Sequence, residues 1–158
     1  LRLKEYVPLE GFYNTIRALE DFVIEDEIEN ILRNNSEYVI ELLQEQLKQG
    51  QSGDGPTTVF GSTQYNPQTV KYKLEFGQGT GRITSFITNF MFGDFYGQMF
   101  LEVDNGLFTI KSSVSYFDKI LDQSGETVMQ LNQESLERLR DEIILPELEQ
   151  VINTKFAQ

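Results

Sequence analysis

Carboxylates are the most abundant reactive groups in this chain. Glu102 and Asp104 stand two apart, Asp141 and Glu142 are adjacent, and Glu25, Asp26 and Glu27 run together. Two carboxylates at a suitable separation can act as acid and base in glycoside hydrolysis. Here most of them fall on hydrophilic faces of expected helices. Glu102 and Asp104 fall on the polar side of an expected hairpin, so no catalytic pair is expected. Gly77, Gly79 and Gly81 suggest a phosphate cradle, but Arg82 takes the place of the last glycine in G-x-G-x-x-G. No Gly-Lys-Ser/Thr completes a P-loop, and the glycines follow an expected helix rather than a strand. Asp104-Asn105-Gly106 lacks the spacing and the closing Glu of an EF-hand. Asn34-Asn35-Ser36 fits the glycosylation pattern, but nothing else points to secretion.

Other chemistries are closed by composition. The 158 residues include no Cys and no His. That excludes disulfides, thiolate nucleophiles, Ser-His-Asp and Cys-His catalysis, and any His-containing zinc site. The expected catalytic, cofactor-binding and metal-binding residues are therefore none. The seven tyrosines have too few basic neighbours for a nucleic-acid stacking platform. With 13 Lys and Arg against 25 Asp and Glu, the net charge is −12, which disfavours whole-surface attraction to DNA or anionic lipid. No apolar run approaches the length of a membrane span, and no membrane partner is expected. No signal peptide is visible, and residues before Leu1, including an initiator Met, are expected to be missing.

The acidity is unevenly spread. Residues 1–50 carry five basic and eleven acidic groups, and residues 101–158 carry the same. Residues 51–100 carry three of each. The acidic ends read as helices and the neutral centre is rich in Gly, Thr and Phe. Acidic residues ordinarily solvate outer helix faces, but two acidic helices can also form a repulsive wall for a passing polyanion.

Periodicity supplies the elements. Phe12, Ile16, Leu19 and Val23 recur at helical spacing, giving an N-terminal arm or short helix over 1–24. Ile28, Ile31, Leu32, Val39, Leu42, Leu43 and Leu47 hold one phase; Asn34, Asn35 and Ser36 could interrupt the helix, but the stripe stays in phase across them and favours a single long helix over 25–49, stopped by Gly50. It would be about 37 Å long. Residues 51–56 are dense in turn formers and read as a loop. Asn66-Pro67 reads as N-cap and first residue of a short helix, 67–75. Residues 83–92 are apolar and need shelter, and one helical turn is expected around Phe95-Tyr96. Alternation on both sides of Asn105-Gly106 predicts a tight hairpin over 98–113. A short helix or loop over 116–121 should end near Gly125. The last helix should begin at the N-cap Asn132 and kink at Pro146. The fold class is α+β, with long N- and C-terminal helices packed on a small antiparallel sheet in a single domain over 25–158.

The order of these motifs resembles a known family. A long helix ends in Leu47-Lys-Gln-Gly50, then come Gly53-Asp54-Gly55 and Tyr65-Asn-Pro-Gln-Thr69-Val-Lys71. An apolar lead follows into Gly93-Asp94-Phe95-Tyr96, then the hairpin, Tyr116-Phe-Asp-Lys-Ile-Leu-Asp-Gln-Ser-Gly125 and a closing helix. This order, spanning about residues 25–152, resembles the virion morphogenesis or tail completion family of tailed bacteriophages. It is also similar to the broader group of minor tail and head–tail joining proteins. The family's usual Trp and late His are absent, and Phe92 stands where the family has Thr.

The resemblance implies a non-enzymatic, portal-associated ring component at the neck, located in the virion and in the host cytoplasm during assembly. Its partners would be copies of itself, other connector or tail proteins, and DNA passing without sequence recognition. Another tail or baseplate component, or a small acidic monomeric adaptor or inhibitor, are the alternatives. Interface cores favour aromatics and Met over charge. Ile83, Phe86, Phe90, Phe92, Phe95, Tyr96 and Met99 are accordingly the candidate subunit contacts. Glu134, Glu137, Asp141 and Glu142, with Glu37, Glu41 and Glu45, are the candidate lumen-facing acids.

Overall fold

The computed structural model describes residues 23–156. The expected arm over 1–24 lies outside the described residues as far as Phe22. Helix α1 (Ile24–Asn34) and helix α2 (Ser36–Lys48) follow one another with a single residue between them. The expected unbroken rod over 25–49 is thus corrected to two helices. Asn35 is the cause. Its backbone leaves helical geometry at φ −111° and ψ 27°, and its side-chain amide donates to Ile31 O at 2.8 Å and to Glu147 Oε1 at 2.9 Å. Asparagine competes with the helix ladder in this way because its short amide reaches nearby backbone groups. The apolar phase survives the break: Ile31, Leu32, Val39, Leu42, Leu43 and Leu47 are all buried.

After Gly50 the chain forms two very short paired strands, β1 (Gln51–Ser52) and β2 (Gly55–Pro56), where a loop is expected from the sequence. Ser52 Oγ lies 3.0 Å from both Asp54 Oδ1 and Gly55 O, which closes the turn. Helix α3 (Pro67–Phe76) comes next, then a 3-10 turn over Gly79–Arg82 and an irregular apolar stretch. One helical turn, α4 (Asp94–Gly97), leads into strands β3 (Met99–Asp104) and β4 (Leu107–Ser112). Helix α5 (Phe117–Ser124), a 3-10 turn over Glu126–Met129, helix α6 (Gln133–Leu139), a π turn over Arg140–Ile144 and helix α7 (Leu145–Phe156) complete the described chain.

The β3–β4 hairpin forms as its sequence predicts. Asp104 pairs with Leu107, and the two turn residues take φ 51° at Asn105 and 75° at Gly106. Positive φ at both positions matches the right-handed twist of the strands. Leu101 faces Ile110 and Val103 faces Phe108, so one side of the ribbon is apolar. That side meets α1 and α2 and joins the core of Leu42, Leu43, Leu47, Val128 and Leu139. Replacing Gly106 with Val puts a β-branched residue at a φ it avoids. The expected loss is about 1 kcal/mol or more, read by denaturant melting. An unchanged midpoint would contradict the turn assignment.

Polar clips tie the outer elements to this core. The buried Gln46 side chain donates to Gln130 O at 2.6 Å and accepts from Asn132 N at 2.9 Å. Asn132 in turn accepts from Ser135 N at 2.9 Å, the N-cap expected of it. Helix continues through Pro146, which stands in the first turn of α7. The π turn just before it widens the coil, which relieves the clash between the proline ring and the carbonyl four residues back.

Candidate interaction surface

Helix α3 starts as its sequence dictates. Asn66 Oδ1 accepts from Thr69 N at 2.8 Å, and Pro67 occupies the first turn, where its missing N–H costs nothing. Its apolar residues, however, make no single stripe. At 100° per residue, Val70 and Leu74 stand on one side of the helix and Tyr72 and Phe76 on the other. Lys73 lies at the centre of the face between them.

The helix consequently packs inside out. Lys73 is its one buried residue, 1% exposed, whereas Tyr72 is 48%, Leu74 53% and Phe76 48% exposed. None of the α3 residues belongs to the hydrophobic core. The Tyr72 and Phe76 rings touch each other, with centroids 4.7 Å apart. Phe92, at 58% exposure, adds a further aromatic nearby, close to the 3-10 turn. At that turn Gly81 lies against Met91 O so closely that an added Cβ would sit 2.1 Å from it.

Hydrogen bonds to the main chain attach α3 and Tyr65 to the segment 88–90. Lys73 Nζ donates to Phe90 O at 2.5 Å and lies 4.7 Å from the centre of the Tyr65 ring. The Tyr65 hydroxyl accepts from Thr88 N at 3.0 Å and Asn89 N at 3.1 Å. From the other side, Tyr96 Oη donates to Thr88 O at 2.5 Å. No carboxylate lies within 4.0 Å of Lys73 among the described residues. Burial therefore lowers its pKa from 10.5 to about 8. Burial also drives the Tyr96 hydroxyl well above its ordinary range. A cleft of about 270 Å³ opens beside Lys73, lined in part by Tyr65, Asn89, Phe92, Asp94 and Tyr116.

The surface charge here differs from the rest of the molecule. Lys71, Lys73 and Arg82 are all the basic residues of the neutral central third, and all fall between Pro67 and Arg82 with Glu75 as the single acid. Lys71 and Arg82 are exposed. With Glu75 also exposed and Lys73 buried, the surface here shows two cations and one acid beside aromatic rings, on a chain of net charge −12.

The seven expected contact residues divide. Phe92 is exposed, and Ile83, Phe86 and Phe90 are half-buried. Phe95, Tyr96 and Met99 are corrected to interior residues: they fill the protein's own core and offer no surface. All four expected lumen acids on the last helices are exposed, but three are already engaged. Asp141 accepts from Arg140 at 2.6 Å, which lowers its pKa, and Glu142 accepts from Arg138 at 3.5 Å and from Tyr38 Oη. Glu137 accepts from Gln133 at 2.8 Å. On α2, Glu45 accepts from Arg138 at 2.8 Å, while Glu37 and Glu41 have no ion-pair partner among the described residues.

The carboxylates first considered for catalysis do not converge. Glu102 pairs with Lys111 at 2.5 Å, Asp104 accepts from the neighbouring Asn105 amide, and Asp94 opens α4. Among the described residues no cluster of acids has the makings of a metal site, and no helix is long and apolar enough to cross a membrane. The sequence reading missed Lys73 and Tyr65. The signal available was the split apolar pattern of α3, which leaves a lysine at the centre of the inward face. The chain matches no family model, and comparison with curated proteins and with solved structures gives no match.

Proposed function

We propose that this chain is a structural, non-enzymatic subunit of a tailed-bacteriophage particle. It is one copy in a ring at the head–tail joint, through which DNA passes without sequence recognition. The observation that carries the reading is the exposed apolar content of α3, where Tyr72 and Phe76 on one flank and Leu74 on the other are each about half exposed while Lys73 is buried. A helix that turns aromatics to solvent and a lysine to the interior is shaped for burial against another protein. The acidic helices from the two ends of the chain, which pack on one another, suit a path for a polyanion, because each Lys or Arg on a channel wall would add salt-dependent retention. The motif order over residues 25–152 supports the same class.

The test is location. Particles carrying a tagged copy of the chain should show the tag at the neck in electron micrographs, in a ring of several copies. Label along the tail shaft or at the distal tip would replace the neck reading with another tail component. A chain absent from particles would end it.

A further inference from the structure

We propose that the cleft beside Lys73 is a site for a small, uncharged aromatic aldehyde, which the lysine amine holds as an imine. The site goes beyond the ring reading and does not rest on it. Lys73 is the one buried lysine among the described residues, and none of their carboxylates lies within 4.0 Å of it. Lys48, Lys71, Lys119 and Lys155 are exposed, and Lys111 is paired with Glu102. Desolvation without a counter-charge is what makes a lysine amine a nucleophile near neutral pH. Burial lowers the pKa of Lys73 to about 8. About a quarter of it is therefore neutral at pH 7.5, against about one part in a thousand for an ordinary lysine.

Geometry leaves the amine one open direction. A neutral amine has two N–H bonds and a lone pair. One N–H donates to Phe90 O at 2.5 Å, and the other can face the Tyr65 ring, whose centre lies 4.7 Å away. That leaves the lone pair for the cleft of about 270 Å³ that Lys73 lines. The walls choose the ligand. Tyr65, Phe92 and Tyr116 give the cleft aromatic sides. Asp94 lines it too and disfavours an anion, while Lys73 itself disfavours a cation. The lone pair adds to the carbonyl carbon and the C=O π pair moves to oxygen. The resulting carbinolamine loses water, which carries away the aldehyde oxygen and both amine hydrogens. A proton from solvent then makes the iminium, whose single N–H keeps the bond to Phe90 O. No oxidant or reductant takes part.

Trapping on the full chain tests this. The folded protein is treated with benzaldehyde and cyanoborohydride, which fixes an imine as a secondary amine, and the label is mapped by peptide mass. Mapping is needed because a chain-terminal α-amino group titrates in the same range. At pH 7.5 Lys73 should take label about tenfold faster or more than Lys71 or Lys119 in the same chain, given its larger neutral fraction. That ratio should fall toward pH 9.5, where Lys73 has already lost its proton and the exposed lysines are still gaining neutral amine. With 4-carboxybenzaldehyde the preference for Lys73 should shrink, and Asp94→Asn should return it in a chain whose melting curve matches the natural one. Equal labelling of the three lysines, a preference seen only in urea, or a ratio that ignores pH would each overturn the proposal. So would a stronger preference for the carboxylate-bearing aldehyde, which would make this an anion site, or no gain from Asp94→Asn.

Discussion

Lys73→Met should leave stability at pH 7 within about 1 kcal/mol of the natural chain and should erase a rise in stability that the natural chain shows toward pH 9.5. The lysine is buried with one carbonyl and one aromatic ring as company, and its folded pKa falls from 10.5 to about 8. Below pH 8 the ammonium is charged in both folded and unfolded chains, so the desolvation cost is fully present. Between about 8 and 10.5 the folded chain has released the proton and the unfolded chain still holds it. Stability rises with pH wherever the unfolded state binds more protons. Over the span from pH 7.5 to 9.5 the gain should approach about 2 kcal/mol. Tyr96 works in the opposite sense: its raised pKa makes the folded state lose stability above pH 10, so the measurement belongs below that. Methionine removes the ammonium at the cost of one hydrogen bond to Phe90 O, worth roughly 1 kcal/mol. Urea melts of both chains at pH 7.5 and 9.5 provide the check. A natural chain with the same stability at both pH values would contradict the buried-cation account.

Leu43→Ala should cost about 3 kcal/mol and lower the melting temperature on the order of 10 °C. Leu43 is fully buried on α2, in the core shared by the hairpin and the last helices. Truncation leaves a cavity that well-packed neighbours fill only in part. Leu74→Ala removes the same atoms from a residue 53% exposed, so it should change monomer stability by no more than about 0.5 kcal/mol. The paired measurement separates the leucine that builds the body from the leucine offered to a partner. Equal losses would mean that α3 belongs to the folding core.

The sequence was most informative where local chemistry decides the outcome. Asn105-Gly106 specifies a turn because few residues accept positive φ, and Asn66 and Asn132 mark helix starts because their side chains replace missing backbone partners. The break at Asn35 was not legible from periodicity, since the apolar stripe keeps its phase across it. The decision there rests on Glu147, 112 residues away in sequence, which takes one of the two amide bonds. The β1–β2 pair is too short to alternate visibly. Pro146 announces a disturbance, but whether a helix kinks or widens depends on packing outside the local window. Composition does not distinguish an aromatic that fills the core, such as Phe95, from one left outside, such as Phe92. The inward position of Lys73 is not legible in the sequence because a lysine inside a helix ordinarily points to water.

The grip on residues 88–90 has a consequence for how this region can change over time. Tyr65, Lys73 and Tyr96 all reach main-chain atoms: Thr88 N, Thr88 O, Asn89 N and Phe90 O. Every amino acid except proline carries both of those groups. The grip therefore makes no demand on the side chains of Met91 and Phe92, just beyond it, while the three residues that reach in have little latitude. Selection acting on what α3 and Phe92 touch could remodel that surface, one substitution at a time, without loosening its attachment to the body.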